Sequence, residues 1–288
     1  MFFCLAIAKT KSRMRKKKIV FWVILTVFLM FVMYGVLIEP YQIDVHHLQV
    51  GDAGVSKVLK GKIAVHISDL HITRIGKREE KVLKIMEELN PDLIFLTGDY
   101  VTWGSDSGPA VTFFSRLKAN IGVWAVMGDY DYVPSRKSCL FCHERGSGKP
   151  TRRHKVKFLR NEMVRIILPN GYTWLGGSDP EAEFNYVPSK KVDFLREKTP
   201  AIILSHSPLI FNLIDKDQDV LILAGDTHGG QIPLPAWLWS ILGYEKSARY
   251  NQGFFREGWK RMYVSRGIGT SHLPLRILCP PELVVLHF

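Results

Sequence analysis

The amino-terminal part of this 288-residue sequence lacks acidic residues, and the segment after it lacks charge altogether. Residues 1–18 contain seven basic residues and no acidic one, and residues 19–38 contain no charged residue. Twenty uncharged, mostly apolar residues are enough to cross a bilayer as a helix. No small-x-small cleavage site follows the run, and no twin-arginine pair precedes it. The pattern therefore favours an uncleaved membrane anchor over a cleaved signal peptide.

Basic residues are missing from the segment that follows this run, since residues 39–56 contain neither Lys nor Arg. The positive-inside rule then places the amino terminus in the cytoplasm and the main domain outside an inner (plasma) membrane. The resulting division of the chain has four parts. They are a basic cytoplasmic tail (1–18), a transmembrane anchor (19–38), a tether with an opening strand (39–60) and a main domain (61–288).

Positive charge is scarce elsewhere, although the net charge is +12. The excess lies in residues 1–40 and in a basic insertion at residues 135–160, and the rest of the chain is close to neutral. A general nucleic-acid-binding surface is therefore not expected. The insertion is interpreted either as a solvated loop or as a contact for anions, such as membrane head groups or substrate phosphates.

Cysteines are few, four in all, but two of them form the motif Cys139-Leu140-Phe141-Cys142-His143. This spacing is that of covalent c-type haem attachment. Haem needs an apolar pocket, whereas the flanking residues are basic and polar. The alternatives are a disulfide between Cys139 and Cys142, a small zinc site that adds His143 and His154, or no role.

The main domain has five short apolar runs that predict buried strands, and each run ends in Asp or His. The runs are at residues 62–67, 92–97, 121–127, 201–204 and 220–224. The polar residues that follow them are Asp69, His71, Asp99, Asp129, His206, Asp226 and His228. Ligand sites in open α/β sheets lie at the carboxyl ends of strands. Carboxylates and imidazoles are ligands for divalent metals, so the pattern predicts one binuclear metal site.

Helical spacing alternates with these strands. Residues 77–90 have an amphipathic pattern that Pro91 terminates, and residues 110–117 fit a second helix. Residues 192–196 and 209–214 are shorter candidates. Strands that alternate with helices predict a layered α/β domain, and there is no internal repeat or low-complexity tract.

Residues 61–288 resemble the calcineurin-like metallophosphoesterases, because all five blocks occur in that family's order. The carboxyl-terminal part is similar to a membrane-attached branch that includes UDP-diacylglucosamine pyrophosphatases of lipid A synthesis. The segments that carry this second similarity are His228–Ile232, Tyr263–Ser271 and Pro280–Glu282. The resemblance implies a four-layer α-β-β-α sandwich with mixed sheets. It also implies hydrolysis of a phosphodiester or pyrophosphate bond.

The resemblance assigns roles to the predicted ligands. Asp69, His71 and His228 would bind one metal ion, His206 would bind a second, and Asp99 would bridge the two. A water between the metals would be the nucleophile.

Three positions depart from the family pattern: Asp129 stands where Asn is usual, and Tyr130 and Asp226 stand where His is usual. The two added aspartates can still coordinate, so they would also be metal ligands in a site that has been tuned differently. Four carboxylates balance two divalent cations, and they favour Mn²⁺ or Mg²⁺ over Zn²⁺.

Tyr130 and Asp131 take the positions of the family's catalytic His and the carboxylate that orients it. A phenol with a pKa of about 10 is a weak proton donor at neutral pH. We therefore expect little assistance to the leaving group. That favours good leaving groups, such as a nucleotide phosphate in a pyrophosphate linkage, over alkyl phosphates.

Two further segments could shape a substrate site. Residues 233–242 are interpreted as a core or cap helix, or as a surface at the membrane interface that holds acyl chains. Arg266, Gly267, Gly269 and Thr270 could direct a guanidinium and backbone N–H groups at a phosphate, or could be a plain strand connection. The sequence thus predicts a membrane-anchored phosphoesterase for a phosphorylated lipid or nucleotide. The hypotheses from other classes are a non-catalytic metal-binding sensor or scaffold and a redox protein.

Overall fold

The computed structural model describes residues 2–51, 54–131, 139–142, 151–169, 171–178, 200–271 and 273–288, with side chains from residue 16 onward. It begins with a long helix, α1 (Phe2–Leu37). In the part of the chain so described, this is the one helix long and apolar enough to cross a membrane. The candidate span is Lys16–Tyr41, and very little of it is buried.

The link between α1 and the first strand is a packed turn. Residues Glu39–Tyr41 form a 3₁₀ turn in which Glu39 and Pro40 are buried. A strand follows after two residues. The predicted tether is therefore short and fixed against the domain, because the Glu39 carboxylate accepts a hydrogen bond from the backbone N–H of Cys279 at 2.5 Å.

The first sheet has six strands in the order β1-β12-β2-β3-β4-β5. They are β1 (Asp44–Gln49), β12 (Glu282–His287), β2 (Ile63–Ile67), β3 (Leu93–Thr97), β4 (Gly122–Val126) and β5 (Lys157–Phe158). Strands β2 to β5 are parallel, and β12 runs antiparallel to β2. The parallel strands are β-branched and aromatic and are buried along nearly their whole length, as expected for strands covered on both faces.

The second sheet also has six strands, in the order β10-β11-β9-β8-β7-β6. They are β6 (Glu162–Leu168), β7 (Gly171–Ser178), β8 (Ala201–Ser205), β9 (Val220–Ala224), β10 (Gly253–Glu257) and β11 (Lys260–Val264). The four central strands are parallel, and the two edge strands pair antiparallel to them. Both sheets are therefore mixed.

Apolar contacts join these elements into layers. Between the sheets, Phe95 and Trp124 pack with Leu204 and Leu223. The outer face of the first sheet is covered by α3 (Lys77–Leu89) and α4 (Gly108–Arg116). The outer face of the second is covered by a 3₁₀ segment, Pro208–Leu213. Three short helices complete the described elements: α2 (Val55–Val58), α5 (Ala236–Ile241) and α6 (Glu245–Arg249). The prediction of a layered sandwich with mixed sheets and an amino-terminal apolar helix is confirmed.

The basic insertion differs from a simple solvated loop where it is described. Lys157 and Phe158 pair with β4 as the edge strand of the first sheet. Cys139 and Phe141 are buried in the cluster under α3 and α4. The other residues of the insertion, 135–138 and 143–150, lie outside the described part of the chain, as does the helix predicted at 192–196.

Candidate metal centre

The loops that follow the buried strands hold the predicted ligands in unusual backbone conformations. Five of these residues have a positive φ, namely Asp69, His71, Asp99, Asp226 and His228. Side chains with a Cβ rarely adopt this left-handed conformation, which is found at functional sites where the surroundings enforce it. Here backbone hydrogen bonds join two of the loops, from Asp69 N–H to Gly98 O and from His71 N–H to Asp99 O.

Glycines allow the loops to approach one another. A Cβ added at Gly128 would lie 2.2 Å from the backbone nitrogen of Asp99, and one added at Gly225 would meet the hydroxyl of Ser68. Any larger residue would push the ligand loops apart. This is the physical reason for glycine before Asp129 and Asp226.

One group of ligands forms around two stacked imidazoles. The Nε2 atoms of His71 and His228 lie 3.2 Å apart. His228 Nε2 is 3.7 Å from an Asp69 oxygen, and His71 Nε2 is 3.6 Å from an Asp99 oxygen. Two ligand atoms bound to one metal at about 2.1 Å are separated by about 3.0–3.4 Å. The spacing therefore fits one divalent ion, with Asp99 at its edge.

A second group forms around His206. Its Nε2 lies 3.5 Å from Asp99 and 4.0 Å from Asp226, and Asp129 belongs to the same cluster. Asp99 lies between the two groups, 3.6 Å from His71 Nε2 and 3.5 Å from His206 Nε2, and the ligands are mostly buried. The arrangement fits two ions with a bridging carboxylate.

The orientation of His206 tests whether a metal fits. Its Nδ1 lies 2.8 Å from the carbonyl of Thr97, to which Nδ1–H donates, so Nε2 is left as the acceptor. Neither Nε2 of His206 nor Oδ1 of Asp129 has a hydrogen-bond partner among the described residues, although both are buried. A histidine fixed by its second nitrogen, with the first directed at carboxylates, is the usual arrangement of a metal ligand.

Burial and mutual charge perturb these groups. Burial raises the pKa of Asp69 to about 7 and raises that of Asp129. Burial disfavours the charged form of Asp99 as well, but His206 and His71 outweigh it and hold the pKa of Asp99 below its usual range. Several buried carboxylates in one place need compensating positive charge. Divalent cations would supply it.

A family model for the calcineurin-like phosphoesterases matches residues 64–230, which is more than half of the chain. This chain belongs to that family. The predicted membership is confirmed, and the chain is a metallophosphoesterase whose predicted ligands are brought together in space.

Curated relatives extend over most of the chain. The metallophosphoesterase YkuE of Bacillus subtilis is 27% identical over 269 residues, which cover 88% of this chain and 87% of YkuE. The UDP-2,3-diacylglucosamine pyrophosphatase LpxG of Chlamydia trachomatis is 27% identical, with 79% of this chain and 84% of LpxG covered. The phosphodiesterase YaeI of Escherichia coli is 26% identical, with 76% and 79% covered.

Tyr130 lies beside the phosphoesterase metal centre. Its backbone N–H donates to Asp99 at 3.0 Å, and its ring meets that of His71 edge-on at 5.4 Å. Burial and the Asp99 carboxylate raise the pKa of the phenol, which also hydrogen-bonds to Ser271. The phenol therefore stays protonated at neutral pH and can donate a hydrogen bond, while remaining a weak acid.

Asp131 was predicted to orient the side chain of residue 130, but its contacts in the structure are with backbone N–H groups. Its carboxylate accepts hydrogen bonds from the backbone N–H groups of Asp99 at 2.7 Å, Tyr100 at 2.8 Å and Gly128 at 2.8 Å. Asp131 is completely buried. It therefore fixes the loop of Asp99, the predicted bridging ligand, which makes it a positioning residue.

The contacts of the segment after β11 do not support the predicted phosphate site. The Arg266 guanidinium is paired with Asp44 at 2.5 Å and with Glu282 at 3.2 Å. A Cβ on Gly267 would lie 2.7 Å from Asp69, and Gly269 N–H donates to Asp69 O. Gly267 and Gly269 therefore brace the loop of the predicted ligand Asp69, and the guanidinium of Arg266 is already held by two carboxylates.

Lys246, a residue that the sequence analysis missed, also reaches the centre. It lies in α6, and its Nζ is 2.5 Å from an Asp226 oxygen. No motif marks this lysine, which comes to the centre only through the packing of α5 and α6. It compensates the added carboxylate of Asp226, which stands where the family usually has a histidine.

A cleft of about 580 Å³ opens from the metal ligands. Its lining includes the polar and charged residues Tyr130, His228 and Lys246 and the apolar residues Trp239 and Leu273. The cleft therefore offers both charged groups and apolar surface beside the candidate metal ligands. Thr270 does not line it but lines a second groove.

The structure distinguishes between the alternatives for the cysteine motif. Cys139 and Cys142 are joined by a disulfide, which is one of the alternatives considered for this motif. Thioether attachment of haem would need both sulfurs, so the haem c and zinc hypotheses do not fit this pairing. His154 packs edge-on against Phe114 and Phe158. His143 lies outside the described residues.

The added carboxylates give a prediction for metal selectivity. Asp129→Asn keeps the shape of the side chain and removes one negative charge. Hard ions depend most on carboxylates, so we expect Mn²⁺ or Mg²⁺ affinity to fall about tenfold and Zn²⁺ affinity to fall less. Equilibrium dialysis with each ion measures this, and Asp215→Asn at an exposed position is the control. An equal loss for all three ions would contradict it.

Proposed function

We propose that the chain is a membrane-anchored hydrolase with two metal ions that cleaves a phosphodiester or pyrophosphate bond in a lipid-linked substrate. The observation that carries the proposal is the convergence of all seven predicted ligands into three overlapping groups. When bound, the ions would polarise the phosphoryl oxygens and activate a water. Mn²⁺ or Mg²⁺ suits the carboxylate-rich ligand set better than Zn²⁺.

The residues of the chain would have separate tasks in this reaction. Asp69, His71 and His228 would hold one ion, and His206 with the two added aspartates would hold the other. Asp99 would contribute to both. Lys246 places a positive charge on the cleft wall, 2.5 Å from Asp226. Tyr130 offers a hydrogen bond to the leaving group.

Several features support a membrane-borne substrate. Helix α1 supplies a candidate anchor next to the domain. Trp237 and Ile241 on α5 are 64% and 73% exposed beside the cleft, as expected for side chains at a membrane interface. A UDP-diacylglucosamine-like precursor is one candidate, since LpxG bears that name. The basic tail supports an extracytoplasmic domain, where lipid-linked phosphates are met more readily than nucleotides.

The deciding experiment uses the full chain in detergent micelles, stripped of metal and titrated with Mn²⁺, Mg²⁺ and Zn²⁺. Hydrolysis of bis-p-nitrophenyl phosphate is measured alongside the number of ions bound per chain. We expect turnover that requires metal and is highest with Mn²⁺ or Mg²⁺. Lys84→Ala, an exposed change far from the centre, should behave as the parent.

Failure would take one of two forms. Two ions bound without turnover would replace the proposal with a metal-binding sensor or scaffold. This second candidate is favoured by the three departures from the family pattern at Asp129, Tyr130 and Asp226. An absence of bound metal would overturn both.

The same preparation tests the role of Tyr130. Because Tyr130 is a weak acid, the chain should hydrolyse alkyl phosphomonoesters much more slowly than pyrophosphate diesters, since only poor leaving groups need a proton. Equal rates on the two substrate classes would remove this part of the proposal.

A further inference from the structure

A second groove, beside α1, also borders the candidate metal centre. It has a volume of about 1220 Å³. We call it the α1 groove. One wall is formed by residues 36–38 and 40–42, the other by residues 73–79, and the lining also includes the predicted metal ligand His71 together with Thr270 and Ser271. Ser271 also lines the cleft, so the two openings meet at the centre.

Helix α1 is docked firmly on the domain at this groove. The backbone N–H of Arg276 donates to Gly35 O at 2.9 Å. A Cβ at Gly35 would lie 2.8 Å from the Arg276 carbonyl, so the close approach requires glycine. Glu39, which is 2% exposed, accepts from Cys279 N–H. The groove therefore opens at the level where the candidate membrane helix ends.

The wall on the α1 side is apolar and open. Val36, Leu37 and Ile38 line the groove, and Leu37 and Ile38 are 60% and 48% exposed. These residues continue the apolar surface of the candidate span without a break. A hydrocarbon chain that lies along α1 in a bilayer would reach the groove without crossing a polar surface.

The opposite wall carries positive charge. Arg74 and Lys77 are exposed, and neither forms an ion pair with any residue in the described ranges. Arg78 is already engaged by Glu79 and by the carbonyl of Leu70. Glu79, the acidic residue of this wall, is buried and paired. The exposed face of the wall therefore attracts anions.

We propose that the α1 groove binds an anionic phospholipid-like molecule whose chains remain in the bilayer. Its phosphate would face Arg74 and Lys77, and its first methylenes would lie along Val36–Ile38. The groove would deliver a membrane-borne phosphate ester to the centre beside His71. This inference rests on the proposed function, because it names the class of substrate that reaches the same centre.

Binding can be measured apart from catalysis. The full chain is held in detergent micelles with a metal chelator, and the anisotropy of a fluorescent phosphatidylglycerol reports binding. Arg74→Ala combined with Lys77→Ala should weaken binding about tenfold through the loss of two charge contacts. Charge reversal, Arg74→Glu with Lys77→Glu, should abolish it. The control is Lys57→Ala with Lys60→Ala, which removes two exposed cations of or beside α2 and should change nothing.

Competitors separate a lipid site from a phosphate site. Unlabelled long-chain phosphatidylglycerol should displace the probe at lower concentration than the dihexanoyl form, because longer chains bury more apolar surface along α1 and in the surrounding micelle. Inorganic phosphate and glycerol 3-phosphate should displace it poorly. Displacement by free phosphate as effective as by the lipid would overturn the inference. Equal affinity of the parent, the double alanine variant and the control would do the same.

The two proposals can fail independently. The parent could show metal-dependent hydrolysis of bis-p-nitrophenyl phosphate while its lipid binding does not depend on Arg74 and Lys77. That result would overturn the inference about the α1 groove and leave the proposed phosphoesterase reaction in place. Lipid binding that depends on these two residues, without any hydrolysis, would overturn the reaction and leave the groove as a lipid site.

Discussion

Asp99→Asn is expected to lower the turnover of bis-p-nitrophenyl phosphate by about a thousandfold, since a bridging ligand supports several kcal/mol of transition-state stabilisation. The carboxylate lies 3.6 Å from His71 Nε2 and 3.5 Å from His206 Nε2, between the two ligand groups. An amide has the same shape but no negative charge and a single oxygen. It cannot bridge two cations with two oxygens, so the spacing between them would no longer be held.

The measurement pairs turnover with the number of ions bound per chain. Elemental analysis should show fewer ions in Asp99→Asn than in the parent. Asp106→Asn is the matched control, because Asp106 is exposed and its one hydrogen bond is local, to Gly108 N–H at 3.1 Å. If Asp99→Asn kept more than about a tenth of parental turnover with a full metal complement, the bridging role would be wrong.

The strands and long helices that could be predicted are those marked by a pattern within their own segment of the sequence. Strands β2, β3, β4, β8 and β9 coincide with the apolar runs found in the sequence, and α3 ends where Asn90 takes a left-handed conformation before Pro91. A buried parallel strand shows itself as an uninterrupted β-branched run. The ligands follow such runs, which is why a single sequence was enough to place them.

The remaining parts depend on contacts between distant segments. Strand β12 inserts between β1 and β2, and nothing local in its sequence indicates that neighbour. Lys246 reaches Asp226 from a helix of five residues. Arg266 begins a glycine-rich segment that was interpreted either as a phosphate contact or as a plain strand connection. Its guanidinium is held by Asp44, which lies far away in sequence. An ion pair between distant segments produces no periodic pattern in the sequence, so it could not be predicted.

Arg276 is the most consequential of the residues that the sequence analysis missed. Its side chain is completely buried, and its guanidinium donates to five backbone carbonyls. Their oxygens belong to Gly269, Arg266, Gly267, Cys279 and, at 3.5 Å, His228. Burial lowers the pKa of Arg276 to about 10, which still leaves the group charged at neutral pH. The guanidinium thus connects the loop of residues 266–269, which packs on Asp69, to the loop of His228. The backbone N–H of Arg276 also donates to the Gly35 carbonyl of α1.

Arg276→Met should therefore lower the free energy of unfolding by about 3–5 kcal/mol, because several buried carbonyls lose their donors together. Thermal unfolding of the full chain, followed by tryptophan fluorescence, should show a melting temperature lower by about 10 °C. Arg116→Met is the control: Arg116 pairs with Glu80 on the surface, and solvent-exposed ion pairs contribute little to stability. Equal melting temperatures for the two variants would contradict the prediction.

Arg276→Lys separates charge from geometry in the same measurement. A lysine keeps the positive charge but has its three donors on one nitrogen, whereas the carbonyls surround a planar group with five donors. If the fork of donors matters, the lysine variant should be nearly as unstable as the methionine variant and should bind metal more weakly. If charge alone matters, it should recover most of the stability. All three guanidinium nitrogens are used: Nη2 donates to Arg266, Gly267 and Gly269 at 2.6–3.1 Å, Nη1 donates to Cys279 at 3.0 Å, and Nε donates to Gly269 at 3.1 Å. One ammonium nitrogen cannot occupy these separate positions, which favours the first outcome.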